Sequence, residues 1–303
     1  MSKPAENVIR PRELPLAGVQ RIANAAIDRA VHLIAEPTAD PDEDIHVIRA
    51  TTKQLRALLR LVRLLVPDEA FRRQNVQLRK AARMLAGFRD AAVALETLSS
   101  LAEDSDTKSS RIVFEEAAVA VRTAPWVHDH LAGVATVRRE GAALESARPR
   151  WHFRLPRAKQ WEQTVVGFEA VYRACRSRRK KVIRIGDEDS FHRWRIRVKN
   201  LYFQVQFLEP IWPKRLGRMT NKLQKLQSLL GDLHDLTVVE QLLRKQPKAS
   251  GAVTVVLEAI DKRRQKLRKR ACKLGDQLFD HKPDKLAKRL RKRLCKWTGE
   301  SIT

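Results

Sequence analysis

The sequence predicts an all-α fold built as two similar antiparallel helical bundles with a basic central groove. Three observations carry this. Gly and Pro total only 11 and 13 residues of 303, below average usage, so long helices with few turns follow. Apolar residues recur at helical spacing, and no stretch alternates with period two, so no sheet is expected. The chain also repeats itself: 45–67 (IHVIRATTKQLRALLRLVRLLVP) aligns with 191–213 (FHRWRIRVKNLYFQVQFLEPIWP) at an offset of 146, and 78–98 aligns with 223–242 at 145. Such self-similarity is the signature of a duplicated unit. A pseudo-two-fold arrangement of the copies would bring their polar faces around one shared surface.

In chain order, helices are expected near 15–36, 42–66, 69–86, 88–102, 108–124 and 126–147. A loop with Pro149 and Pro156 separates these from helices near 158–185, 189–209, 214–230, 232–246 and 252–279. The N-terminal half-bundle is 15–147, the C-terminal half-bundle 158–279, and a basic tail covers 280–303. Asp42 or Asp44 would cap the second helix, and Pro67 lies just past its end; Asp187 and Pro210 bracket the later helix in the same way.

The second helix carries the main chemical signal. His46, Arg49, Lys53, Arg56, Arg60 and Arg63 follow one another at spacings of three and four. That heptad rhythm is normally filled by Leu and Ile. Here it holds cations, along a helix face about 25 Å long. Like charges three and four residues apart repel by about a few tenths of a kcal/mol per pair, so the stripe suits a polyanion lying along it. A solvated face is the usual meaning of such a row; recurrence of its first residues in the second half weakens that reading. His46 matches His192, Arg49 matches Arg195, Lys53 matches Lys199, Asp90 matches Asp235 and Leu85 matches Leu230. Further candidates are Arg79 and Arg83, one turn apart, Lys222, and the basic line Arg173, Arg176, Lys180 and Arg184. Asp90 and Asp235 more plausibly pair with arginines or cap helices than meet an anion.

Charge balance supports the same partner class. Lys and Arg number 61 against 35 acidic residues, a net charge of +26. This argues for nucleic acid, an anionic membrane surface or a phosphate-rich polymer. Residues 262–296 alone hold 16 basic and 3 acidic residues. Within the tail, Leu286, Leu290, Leu294 and Trp297 recur at helical spacing, which suits either packing on the bundle or contact with a membrane or polymer. The three cysteines fit no zinc or redox spacing and point to a reducing cytoplasm. The N-terminus shows no signal peptide, and no apolar run reaches bilayer-spanning length.

These residues resemble the CHAD family, an α-helical domain named for its histidines. The pattern H-x-x-R-x-x-x-K occurs as His46, Arg49, Lys53 and again as His192, Arg195, Lys199. A downstream L-G-x-x-x-D element reads Leu230, Gly231, Asp235, and in displaced form Leu85, Ala86, Gly87, Asp90. The resemblance implies two four-helix-like bundles that bind inorganic polyphosphate in a basic central groove, without catalysis. The resemblance together with the basic rows points to ligand contacts by His46, Arg49, Lys53, Arg56, Arg60, Arg79, Arg83, Arg176, Lys180, His192, Arg195, Lys199 and Lys222, and to a cytoplasmic protein associated with polyphosphate granules. Tyr202, Gln206, Gln224 and Ser228 replace Arg56, Arg60, Arg79 and Arg83 in the second half, so the first half should hold the ligand more strongly. Arg forks suit paired phosphate oxygens, and Lys adds a mobile point charge.

The rival readings are a non-specific nucleic-acid binder and a metal-dependent polyphosphate hydrolase. Aromatics are only 6% of the chain, and none interleaves with the 46–63 stripe, although Trp194 and Tyr202 lie on the second one; stacking platforms mark single-strand binders. His128 and His130 lie two apart, which sends them to different sides of a helix. Leu233-His234-Asp235-Leu236 superficially resembles an HD phosphohydrolase motif, yet the repeat places Arg89-Asp90 at the equivalent spot. No glycine-rich nucleotide cradle occurs, and no cofactor is implied. The arginines around Cys175 would lower its pKa, with no organised base beside it.

Overall fold

The computed structural model describes residues 7–84, 90–103, 108–122, 141–149, 151, 155–244 and 251–299. These residues form α-helices joined by short connections, with no strand among them. In order they are α1 (Pro15–Ala35), α2 (Pro41–Leu61), α3 (Asp68–Met84), α4 (Asp90–Glu103), α5 (Lys108–Arg122), α6 (Arg157–Ile185), α7 (Glu188–Leu208), α8 (Pro213–Arg244), α9 (Gly251–Leu278) and α10 (Pro283–Thr298). Residues 141–146 are also helical. Most of the expected 126–147 helix, His128 and His130 within it, and Leu85, Ala86, Gly87 and Arg89 lie outside the described residues, as do the side chains of Arg83 and Asp90.

Local chemistry accounts for the boundaries. Proline opens α1, α2, α8 and α10 as Pro15, Pro41, Pro213 and Pro283, where its missing N–H costs nothing. Asp187 caps α7, its carboxylate accepting from Ser190 N at 2.8 Å. The cap of α2 is Asp40, which accepts from Glu43 N at 3.1 Å, not Asp42 or Asp44. Asp44 is buried instead, and its carboxylate takes the Thr38 N–H at 2.7 Å and hydroxyl at 2.9 Å. α6 stops at Gly186, whose φ of 71° is the left-handed cap conformation.

Two expectations are corrected. The segments 214–230 and 232–246 are one helix, α8, running through Gly231. Glycine costs about 1 kcal/mol in a helix interior, and the burial of Leu226, Leu229, Leu230, Leu233 and Leu236 on either side offsets it. The basic stripe is also shorter than its spacing suggested. α2 ends at Leu61, and Arg63 falls in a 3-10 turn over 63–65, where it pairs with Asp68 and lies 4.3 Å from the Phe71 ring centroid.

Packing joins distant parts of the chain. α7 lies between α6 and α8 and also meets α2, while α4 and α5 pack on α8 and α9. One apolar core therefore contains residues from both predicted halves, such as Leu98 and Phe114 together with Phe168, Trp194, Leu230 and Leu267. A second core gathers α1, α2 and α3 around Ile27, Ile48, Leu59 and Leu78. At Gly167 a side chain is excluded by close approach: a Cβ there would stand 2.2 Å from the Leu61 carbonyl oxygen. The basic tail is the helix α10, docked on α6. Leu286, Leu290 and Leu294 are buried, and Trp297 meets Trp161 edge-on at 5.7 Å. Its lysines stay outside.

Candidate functional site

The α2–α7 contact positions the cations. Gln204 on α7 donates its side-chain N–H to the Ala57 carbonyl of α2 at 2.9 Å, tying the two helices together through a buried polar bond. Lys53 on α2 and Lys199 on α7 are hydrogen-bonded side chain to side chain. These two residues occupy the same place in the two aligned sequence segments. Between two amines such a bond needs one lone pair, so it opposes full protonation of the pair.

Arg49 and Arg195 stand within electrostatic range of the same spot, and Asp235 of α8 faces them. Burial first, then Arg195 and Arg49, push the Lys199 ammonium down to about 8, against the pull of Asp235. Burial likewise lowers the Arg195 pKa, with Asp235 opposing and Arg49 adding to the fall. Asp235 thus acts electrostatically on Arg195 and Lys199. His234, beside it in sequence, is held down at about 4 by burial and then by Arg195, His192, Arg49 and Lys53. His192 also falls below its ordinary value, through burial and Arg195. The two imidazole rings are 5.1 Å apart. These surroundings disfavour the charged form of both histidines.

A second group continues the row along α2. Arg60 is half-buried and donates to the Arg56 carbonyl at 2.8 Å. Its pKa falls to about 10 through burial, then Arg56, Arg197 and Arg79. Arg56 is lowered by burial and by Arg79, and its buried Nε has no hydrogen-bond acceptor among the described residues. Guanidiniums from α2, α3 and α7 thus act on one another, those of Arg56 and Arg60 partly buried.

Of the remaining expected residues, His46 is exposed near the start of α2, one turn before Arg49, and Lys180 is exposed on α6. Arg176 donates to the Phe279 carbonyl at 3.0 Å, and Lys222 to Gln277 at 3.1 Å. Both bonds go to the end of α9 and the turn into α10. Cys175 is fully buried, and burial raises its pKa far more than Arg197 lowers it, so the expected low pKa is corrected.

One contributor escaped the sequence reading: Arg197 aligns with Thr51, so the repeat gave it no matching partner. His234 was singled out only as part of a motif resembling the HD phosphohydrolases, and its alignment with Arg89 hid its place beside the cation row.

A family model for the CHAD domain matches residues 21–244. The chain belongs to the CHAD domain family. Its matched segment contains both H-x-x-R-x-x-x-K elements and ends with α8, so α9 and α10 are added beyond it on the same core. The crystal structure of the CHAD domain from the plant Ricinus communis is similar in fold, with a TM-score of 0.51 and 21% identity over 95% of this chain and 93% of that one. No curated protein matches the chain. No helix among the described residues of this CHAD domain is long and apolar enough to cross a membrane.

Proposed function

We propose that this CHAD domain binds inorganic polyphosphate, without hydrolysing it, along the cation row shared by α2 and α7. The observation that carries the reading is the convergence of Arg49, Lys53, Arg195 and Lys199 on one spot, where Asp235 is the acidic group acting on Arg195 and Lys199. Half-buried like charges held this close raise the energy of the free protein. A chain of phosphates relieves that repulsion, and each guanidinium fork gains paired oxygens. Arg56, Arg60, Arg79 and Arg197 extend the row. Residues one helical turn apart repeat at about 5 Å, a spacing that one or two phosphate units match.

Two features favour binding over catalysis. Asp235 faces cations that neutralise it, and a histidine with a pKa near 4 is a weak general base at neutral pH. Within the cell this reading places the protein in the cytoplasm, at polyphosphate granules.

Displacement of labelled long-chain polyphosphate at physiological salt tests the assignment. Tripolyphosphate and longer chains should compete increasingly well, and duplex DNA poorly at equal phosphate concentration. Equal displacement by the duplex would transfer the assignment to nucleic acid. Phosphate release in the presence of Mg²⁺ or Mn²⁺, abolished by His234→Ala, would show a hydrolase instead.

A further inference from the structure

Beside the imidazoles of His192 and His234 opens a cavity of about 350 Å³. Small-ligand pockets typically measure about 300–1,000 Å³. Its apolar lining is Phe191, Leu230 and Leu233, and Arg264 and Arg268 of α9 close another side. Both arginines come from beyond the family-matched segment.

The electrostatics here differ from those of the cation row. Arg264 is already paired with Glu240, Asp261 and, at 3.3 Å, Glu188. Asp189 is held by Arg193 at 2.7 Å. The charged form of both histidines is disfavoured, and Glu188 and Asp189, which line the cavity, would repel a phosphate chain. The cavity therefore favours an uncharged group, although His192 and His234 connect it to Arg195, Arg49 and Lys53 of the cation row.

The polar groups present suit a ring with hydrogen-bonding edges. The Arg268 guanidinium lies 5.1 Å from the Phe191 ring centroid, and guanidinium planes and aromatic rings are both stacking surfaces for bases. Thr237 donates its hydroxyl proton to the Leu233 carbonyl at 3.1 Å, which leaves its lone pairs for a ligand donor.

We propose that this cavity seats the base and sugar of a nucleoside 5′-polyphosphate, against Phe191, Leu230, Leu233 and Arg268, while its phosphates run past His192 and His234 onto Arg195, Arg49 and Lys53. The inference rests on the phosphate-binding reading of the row and names a second ligand class for it. With no glycine-rich loop in the chain, the phosphates are held by side chains alone.

Calorimetric titration of the full chain with adenosine 5′-tetraphosphate and with inorganic tetraphosphate, at one salt concentration, tests it. The nucleotide should bind about tenfold tighter, the scale of one stacked base. Gln241→Trp, a change at an exposed residue lining the cavity, should erase that advantage and leave inorganic tetraphosphate unaffected. Arg268→Ala should do the same, with a melting curve reporting its fold. Equal affinity for the two ligands in the parent protein, or an advantage that survives both substitutions, overturns the nucleotide site and leaves the row standing. Failure of both ligands to bind overturns the row and the cavity together.

Discussion

Lys53 and Lys199 are hydrogen-bonded to one another although 146 residues of sequence separate them. The contact brings basic side chains of α2 and α7 together in the half-buried floor of the site. It also ties the ligand preference of the protein to the energy of its ligand-free state, because Arg49, Arg195 and Lys199 there repel one another.

Arg49→Ala combined with Lys53→Ala should weaken tripolyphosphate binding at least tenfold. Each charge-assisted hydrogen bond is worth about 1.5–3 kcal/mol. The melting temperature should stay equal or rise, since two mutually repelling charges disappear. A large fall in melting temperature would show that these residues hold α2 and α7 together.

Acidification should act in opposite directions on the free and bound protein. His192 and His234 are depressed when folded, His234 from 6.5 to about 4. Between those values the unfolded chain binds more protons, so the stability of the free protein is full above pH 6.5 and falls as pH drops toward 4. A bound polyanion favours the protonated imidazoles, so affinity should rise severalfold from pH 7.5 to 5.5, with proton uptake measurable by calorimetry in buffers of different ionisation heat. His234→Gln should reduce both effects. A pH-independent affinity would separate the histidines from the ligand.

Gly167→Ala should destabilise the protein by about 1–3 kcal/mol. The added methyl group would overlap the Leu61 carbonyl oxygen and force α6 away from the end of α2. Thermal melting checks the loss. Because Arg60 sits on that end of α2, polyphosphate affinity should fall with it.

Leu290→Ala should cost about 2–5 kcal/mol, because Leu290 is buried on α10. Lys288→Ala with Lys292→Ala, on the exposed side of the same helix, should leave the denaturant midpoint nearly unchanged. Equal effects from the two variants would mean that α10 is not docked on α6.

Several elements were legible in the sequence because their signals are local. The spacing of His46, Arg49, Lys53, Arg56 and Arg60 placed them on one helix, and Asp187 announced the start of α7. Other elements were misread where packing outweighed local preference. Gly231 reads as a break, yet leucine burial on both sides carries α8 through it. Arg63 continues the heptad on paper, but the 3-10 turn and Asp68 divert it. Arg176 and Lys222 read as ligand contacts from their charge, and their hydrogen bonds to Phe279 and Gln277 follow only from the packing of α9 and its turn.

By itself the sequence determined the helical class, the duplicated cation pattern and the excess of positive charge, because periodicity and composition follow from residue order alone. Only the tertiary structure decided which cations meet. Bringing Lys53 to Lys199, Arg60 to Arg197 and His192 to His234 depends on how α2, α7 and α8 pack, and that packing is set by apolar surfaces buried far along the chain from the charges they position.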